Sequence, residues 1–129
     1  RVNTEFRLVD MNKSLEFQRE SFDVVYSHLA LHYFDKNRTQ KLFDEIYDVL
    51  KPEGIFATLT NTIEDPEIKD GRLLEPEYYE FDTIKKRFLS TNSMRQFTNE
   101  FEPIILDANG ETHKDEIKTL IRFVGRKKN

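Results

Sequence analysis

Hydrophobic positions along the chain change period several times, and each change marks an element. Phe6 to Val9 alternates apolar and polar residues and ends at Asp10, the pattern of a strand with a carboxylate at its C-terminal edge. Met11 to Ser21 is polar and reads as a loop or single turn. Phe22 to Ser27 contains Val24, Val25 and Tyr26 in an unbroken run, which predicts a strand buried on both faces. From Asp35 to Leu50 the period becomes helical. Leu42, Phe43, Ile46, Tyr47, Val49 and Leu50 recur at three- and four-residue spacing behind an Asp35 or Asn37 cap. Lys51-Pro52-Glu53-Gly54 ends the helix, because proline cannot continue it and glycine tolerates the turn. Ile55 to Leu59 is the next strand, so Phe22 to Leu59 forms a strand–helix–strand unit with parallel strands.

Thr60 to Ser90 is long, charged and broken by Pro66, Gly71 and Pro76; a connection of that length is more often functional than accidental. Its segment "EPEYYEFDTIKKRF" predicts partial helix, with Lys85-Lys86-Arg87 on a solvated helix face. Thr91 to Glu100 is a helix with Met94, Phe97 and Phe101 on one stripe and Ser90 or Thr91 as cap. Pro103 to Leu106 and Ile117 to Val124 are antiparallel strands, and Asn109-Gly110 between them signals the turn. The order is β–β–α–β–(insertion)–α–β–β. Mixed strand directions with helices predict a three-layer α/β sandwich in a single domain spanning 1–129.

Composition narrows the function classes. The chain has 129 residues, 37% hydrophobic and 34% charged, with a formal net charge of -4 and eleven Phe. It is large enough for one core, and its mild acidity does not advertise nucleic-acid binding. The terminal Arg126, Lys127 and Lys128 read as a solvated basic end. Without cysteine there is no disulfide, thiolate zinc site or cysteine nucleophile. No apolar run approaches a membrane span and no signal-peptide pattern appears, so no membrane partner is expected and the default location is the cytoplasm. No His/Asp/Glu spacing makes a metal site, and His113 stands alone in a charged loop.

"SFDVVYSHLALHYF", the helix after it, and "LKPEGIFATLTN" together resemble the C-terminal half of class I S-adenosylmethionine-dependent methyltransferases, which are Rossmann-like. The first piece resembles that family's fourth strand and its exit, and "VLKPEG" resembles the lead into the fifth. "FRLVD" resembles the third, and the terminal antiparallel pair the sixth and seventh. Glu53 stands where the family usually has glycine. The family's glycine-rich first turn, and the acidic end of its second strand, would lie before Arg1. The resemblance therefore implies an incomplete sheet and half of a cofactor site. It also implies that Arg1 to Asp10 is displaced, disordered or paired with another chain. The fourth strand is left with an open edge, through which a homodimer can form.

The same resemblance implies S-adenosylmethionine as cofactor and methyl transfer to a small-molecule acceptor by the parent protein. Asp10 would accept from the adenine amino group and Met11 would pack beside the ring. Ser27, His28 and Leu29 would line the methionine end, where open α/β sheets bind ligands beyond their strand C-termini. His32 would be the catalytic base, with Tyr33, Tyr78 and Tyr79 facing the acceptor beneath a lid formed by 60–90. Blander readings stay open: Asp10 as a loop cap, His28 bonded to a backbone carbonyl, Tyr33 and Phe34 as core packing. A non-catalytic methyltransferase-like binding or regulatory domain is the alternative function. An all-parallel response-regulator-like fold is disfavoured, because the terminal antiparallel pair has no place in it.

Overall fold

A computed structural model describes residues 3–111 and 119–128. Seven strands and two helices run in the order β1 (Phe22–His28), α1 (Lys36–Val49), β2 (Leu50–Thr60), β3 (Arg72–Glu75), β4 (Tyr78–Glu80), β5 (Lys85–Arg87), α2 (Thr91–Phe97), β6 (Phe101–Gly110) and β7 (Leu120–Lys127). A 3₁₀ turn, Pro66–Asp70, precedes β3. The main sheet has the order β1-β2-β7-β6. β1 and β2 are parallel, with Ser27 opposite Thr58 and His28 opposite Leu59. β7 runs antiparallel to both of its neighbours. The mixed α/β sheet expected from the sequence, with its terminal antiparallel pair, is therefore observed.

α1 forms where the helical period began. Asp35 caps it by accepting from the Arg38 N–H, and Leu42, Phe43, Ile46 and Val49 are buried. Both helices cover the same face of the sheet, with Phe43 packed against Phe56 of β2 and Phe97 of α2. Phe56, Phe101 and Phe123 meet below them in tilted and edge-on pairs. Burial of each of these rings contributes about 2–3 kcal/mol.

The segment Phe6 to Val9 forms no strand, and Phe6 is 92% exposed. Among the described residues no neighbouring strand offers it backbone partners, and an isolated strand cannot satisfy its own peptide groups. β1 is likewise not buried on both faces: Phe22, Val24 and Tyr26 are exposed, Tyr26 by 65%. Among the described residues it is an edge strand paired only with β2.

The insertion is sheet, not helix. Pro76 and Glu77 turn β3 into β4, and the Phe81 to Ile84 turn, closed by Phe81 N–H to Ile84 O at 2.8 Å, leads into β5. Aromatic and β-branched residues favour a pleated surface over a helix once a partner strand is within reach. The insertion leaves and rejoins the main sheet at one point, where Thr62 bridges Leu89. Arg87 is not solvated on a helix but lies 2% exposed on β5. Lys127 is also buried, and its Nζ donates to the Tyr47 and Leu50 carbonyls at 2.8 Å, capping the C-terminus of α1. Asn109 and Gly110 lie at the end of β6; the remainder of that connection, including His113, falls outside the described residues.

Candidate functional site

The chemistry-bearing residues gather where β1 ends. β1 and β2 are parallel, so their C-termini open on the same side, the edge at which open α/β sheets expose backbone and side chains to ligands. Directly after β1, Leu29 has φ 55°, a left-handed conformation that a branched side chain adopts only when its surroundings hold it. The restraint is visible: the Leu29 N–H donates to the Leu59 carbonyl at 3.0 Å.

A cleft of about 330 Å³ runs along the open edge of β1, bounded by Met11, Ser27, His28 and Leu31, with Leu42 of α1 behind. Three of the five residues expected at the cofactor, Met11, Ser27 and His28, thus come together. Asp10 stands next to the cleft, exposed, with one carboxylate oxygen accepting from the Asn12 N–H at 2.9 Å. Leu29 adjoins it through the strained turn. Tyr26 Oη lies 3.4 Å from His28 Nδ1, which fixes the imidazole on the outer side of β1.

Arg38, which sequence reading missed, holds the loop that carries Met11. Its Nε donates to the Met11 carbonyl and its Nη2 to the Lys13 carbonyl, both at 2.7 Å, while Nη2 also meets Glu45 at 2.8 Å. This guanidinium pins the Met11 loop to α1. Its spacing from Glu45 on the helix was visible in the sequence; the loop carbonyls it would find were not.

Ser27 Oγ, Thr58 Oγ1 and Thr60 Oγ1 are buried with no protein hydrogen-bond partner among the described residues. All three side chains point to the helix-bearing face near the strand C-termini. A buried hydroxyl without a partner costs about 1–3 kcal/mol, and of the three only Ser27 lines the cleft.

The residues expected on the acceptor side occupy different depths. His32 is 2% exposed, its Nδ1 3.4 Å from the Asn61 N–H and its ring 4.6 Å from that of Tyr33. Tyr33 is partly exposed. Tyr78 is buried with its hydroxyl 3.5 Å from the Tyr33 carbonyl, and Tyr79 packs on Phe88. Arg87 locks the insertion against this turn: its N–H donates to the His32 carbonyl at 2.8 Å and its Nε to the Phe34 carbonyl at 3.0 Å.

A family model described as a methyltransferase domain matches residues 1–58. Carboxy-S-adenosyl-L-methionine synthase of Wolinella succinogenes is 28% identical over 119 residues, covering 85% of this chain and 48% of that protein. Among solved structures, a SAM-dependent methyltransferase of Methanosarcina mazei superposes with TM-score 0.77 at 14% identity, over 96% of this chain and 67% of its own. The 1,6-didemethyltoxoflavin-N1-methyltransferase of Burkholderia thailandensis, solved with 1,6-didemethyltoxoflavin and S-adenosylhomocysteine, superposes with TM-score 0.71 at 15% identity, over 94% of this chain and 49% of its own. The chain spans about half the length of the curated relative it matches. Residues 1–58 thus match a methyltransferase domain, and the described residues have the fold of S-adenosylmethionine-dependent methyltransferases.

Proposed function

We propose that the whole protein transfers a methyl group from S-adenosylmethionine to a small-molecule acceptor, and that this chain supplies one wall of the cofactor site and the acceptor side. The observation that carries this reading is the strained Leu29 turn beside the cleft of Met11, Ser27 and His28. The cleft fits part of such a cofactor: its lining is mostly apolar, as a flat ring or thioether chain requires, and Ser27 brings an unpartnered hydroxyl. Bound there, S-adenosylmethionine would supply an electrophilic methyl group on a positively charged sulfur.

The rest of the work falls to the protein's side chains. Asp10 has a second carboxylate oxygen to accept from an exocyclic amine, and Met11 packs beside the ring. Ser27, His28 and the Leu29 backbone hold the methionine end. His32, expected as a proton acceptor, is better suited to positioning: its buried ring links the β1 exit to Asn61 at the end of β2. Tyr33 on its outer side is the residue left facing an acceptor, with Tyr78 fixing its carbonyl and Tyr79 supporting the insertion from behind. The 60–90 insertion, fastened by Arg87, serves as a fixed wall over the acceptor more readily than as a swinging lid. Catalysis then rests on orientation and water exclusion.

The test is transfer of labelled methyl from S-adenosylmethionine by the full-length protein with and without Met11→Asp. The expected result is transfer that the charged substitution abolishes through lost cofactor binding; undiminished transfer by Met11→Asp would overturn the assignment of the cleft. A second reading rests on the synthase activity named for the Wolinella relative: S-adenosylmethionine as the molecule modified, not the methyl donor. Mass spectrometry separates the two, because only methyl transfer yields S-adenosylhomocysteine.

A further inference from the structure

A second cleft, of about 410 Å³, lies between the inserted sheet and α2. Its most unusual residue is Glu77. Pro76 sets the turn between β3 and β4, and the next residue takes φ 67°, a position that glycine or asparagine fills without strain. Glutamate there is conformationally costly, yet its side chain lines the cleft, half-buried, across from Ser93 of α2. Burial raises its pKa above the ordinary glutamate value; the Ser93 side chain and the Arg87 charge oppose the rise without cancelling it.

Arg87 does not neutralise Glu77. Its guanidinium is committed to Glu75 at 2.6 Å and to the Phe34 carbonyl, and Glu75 also accepts from the Lys36 N–H at 2.8 Å. Among the described residues Glu77 has no ion-pair partner. Asn92 and Gln96 lie one turn apart on the α2 wall, with Phe97 as an apolar surface and exposed Lys36 at the rim. The cleft thus combines a desolvated, unpaired carboxylate, two amides and one aromatic wall, and it adjoins the β1 exit through Arg87.

We propose that this cleft binds a small amine-bearing acceptor, whose N–H groups donate to the Glu77 carboxylate; the proposal rests on the methyl-transfer reading for the word acceptor alone. A cationic amine supplies the counter-charge that Glu77 lacks. A carboxylate ligand would instead meet Glu75 and Glu77, with the guanidinium already engaged.

The test uses benzylamine, with benzyl alcohol and benzoate as neutral and anionic counterparts, titrated into the protein at neutral pH while backbone amide resonances are followed. Benzylamine is expected to shift Glu77, Ser93 and Gln96, and to bind roughly tenfold or more weakly to Glu77→Gln, because a charge-assisted hydrogen bond is lost. Glu77→Gly relieves the left-handed strain, so it folds at least as well and is expected to show the same weakened binding. Equal binding by both variants, or equal binding of benzyl alcohol or benzoate, would overturn the proposal. S-adenosylhomocysteine titrated into the same protein reports separately. Amine binding without it upholds the cleft and counts against methyl transfer, and the converse sinks the cleft alone.

Discussion

Arg87 and Glu75 form an ion pair at 2.6 Å, with the guanidinium almost fully buried and the carboxylate one-third exposed. Around it the Arg87 group also meets the Tyr78 ring at 5.0 Å and the Phe97 ring at 5.7 Å, so one side chain joins the inserted sheet, α2 and the β1 exit. Burying a charge is costly unless its donors are used, and here Nε and Nη1 donate to the backbone carbonyls of Phe34 and Pro76.

Removing one partner of this pair should therefore be expensive. Arg87→Met is expected to lower stability by about 3–5 kcal/mol in chemical denaturation. Glu75→Leu with Arg87→Met together should cost less than the sum of the two single changes, a coupling that a double-mutant cycle measures directly. Additive losses would show that the pair does not act as a unit.

Lys127 makes an analogous connection at the other end of the molecule. Lys127→Ala removes two charge-assisted hydrogen bonds to the last carbonyls of α1 and the ammonium 4.7 Å from the Tyr47 ring. A loss of about 2–3 kcal/mol is expected. Lys127→Met, which keeps the apolar stem, should recover part of it. Neither change would matter if the terminal basic run were solvated.

Glu53 has φ 70° within β2, where the pairing with β1 shifts register between Leu50 and Ile55, and an L-residue with a Cβ is strained there. Glu53→Gly should raise stability by about 0.5–1 kcal/mol. Gly54→Ala, one position later, should lower it, because a Cβ there meets the Lys51 carbonyl oxygen at 2.8 Å. A shift of the urea midpoint in opposite directions for the two variants checks both.

Two carboxylates should affect the pH dependence of stability in opposite senses. The hydrogen bonds from Arg122, bidentate at 3.1 and 2.7 Å, hold Asp107 below the ordinary aspartate value, aided by the Asn109 N–H. A folded-state pKa that is depressed adds stability above the unfolded value, lost as pH falls through the folded one. Asp107→Asn should therefore narrow its gap to wild type in acid. Glu77, with Arg87, Ser93 and Glu75 facing it, is raised by burial, so its contribution is present at low pH and disappears as pH rises from the ordinary glutamate value through the raised one. Glu77→Gln should accordingly gain on wild type as pH increases over that window. Thermal melts from acid to neutral pH report both trends.

The open edge of β1 carries Val24 and Tyr26 exposed. Such an edge templates pairing with another strand, so the 129-residue chain should self-associate, and Val24→Lys with Tyr26→Lys should shift it towards monomer in sedimentation. A wild-type chain that stays monomeric at high concentration would count against a dimer through this edge.

Much of the scaffold was legible in one dimension. The Leu42, Phe43, Ile46 spacing set α1, and Asp35 and Ser90 marked helix starts, because capping and amphipathic period are local properties. The unbroken Val24-Val25-Tyr26 run correctly marked a strand and misjudged its burial, since depth depends on how many neighbours the sheet provides. "EPEYYEFDTIKKRF" was misread as partly helical because its propensities are balanced, and a partner strand decides such cases.

What the sequence by itself determined was the strand–helix–strand order from β1 to β2 and the position of the β1 exit, where residues adjacent along the chain must also be adjacent in space. Only the tertiary structure decided which side chains face one another there: Arg38 on the Met11 carbonyl 27 residues away, His32 sealed under Asn61, and Arg87 drawn inside by Glu75 and Phe34. These are long-range pairings of polar groups, and no local period encodes them. They arise because a buried donor must find an acceptor, wherever in the chain it lies.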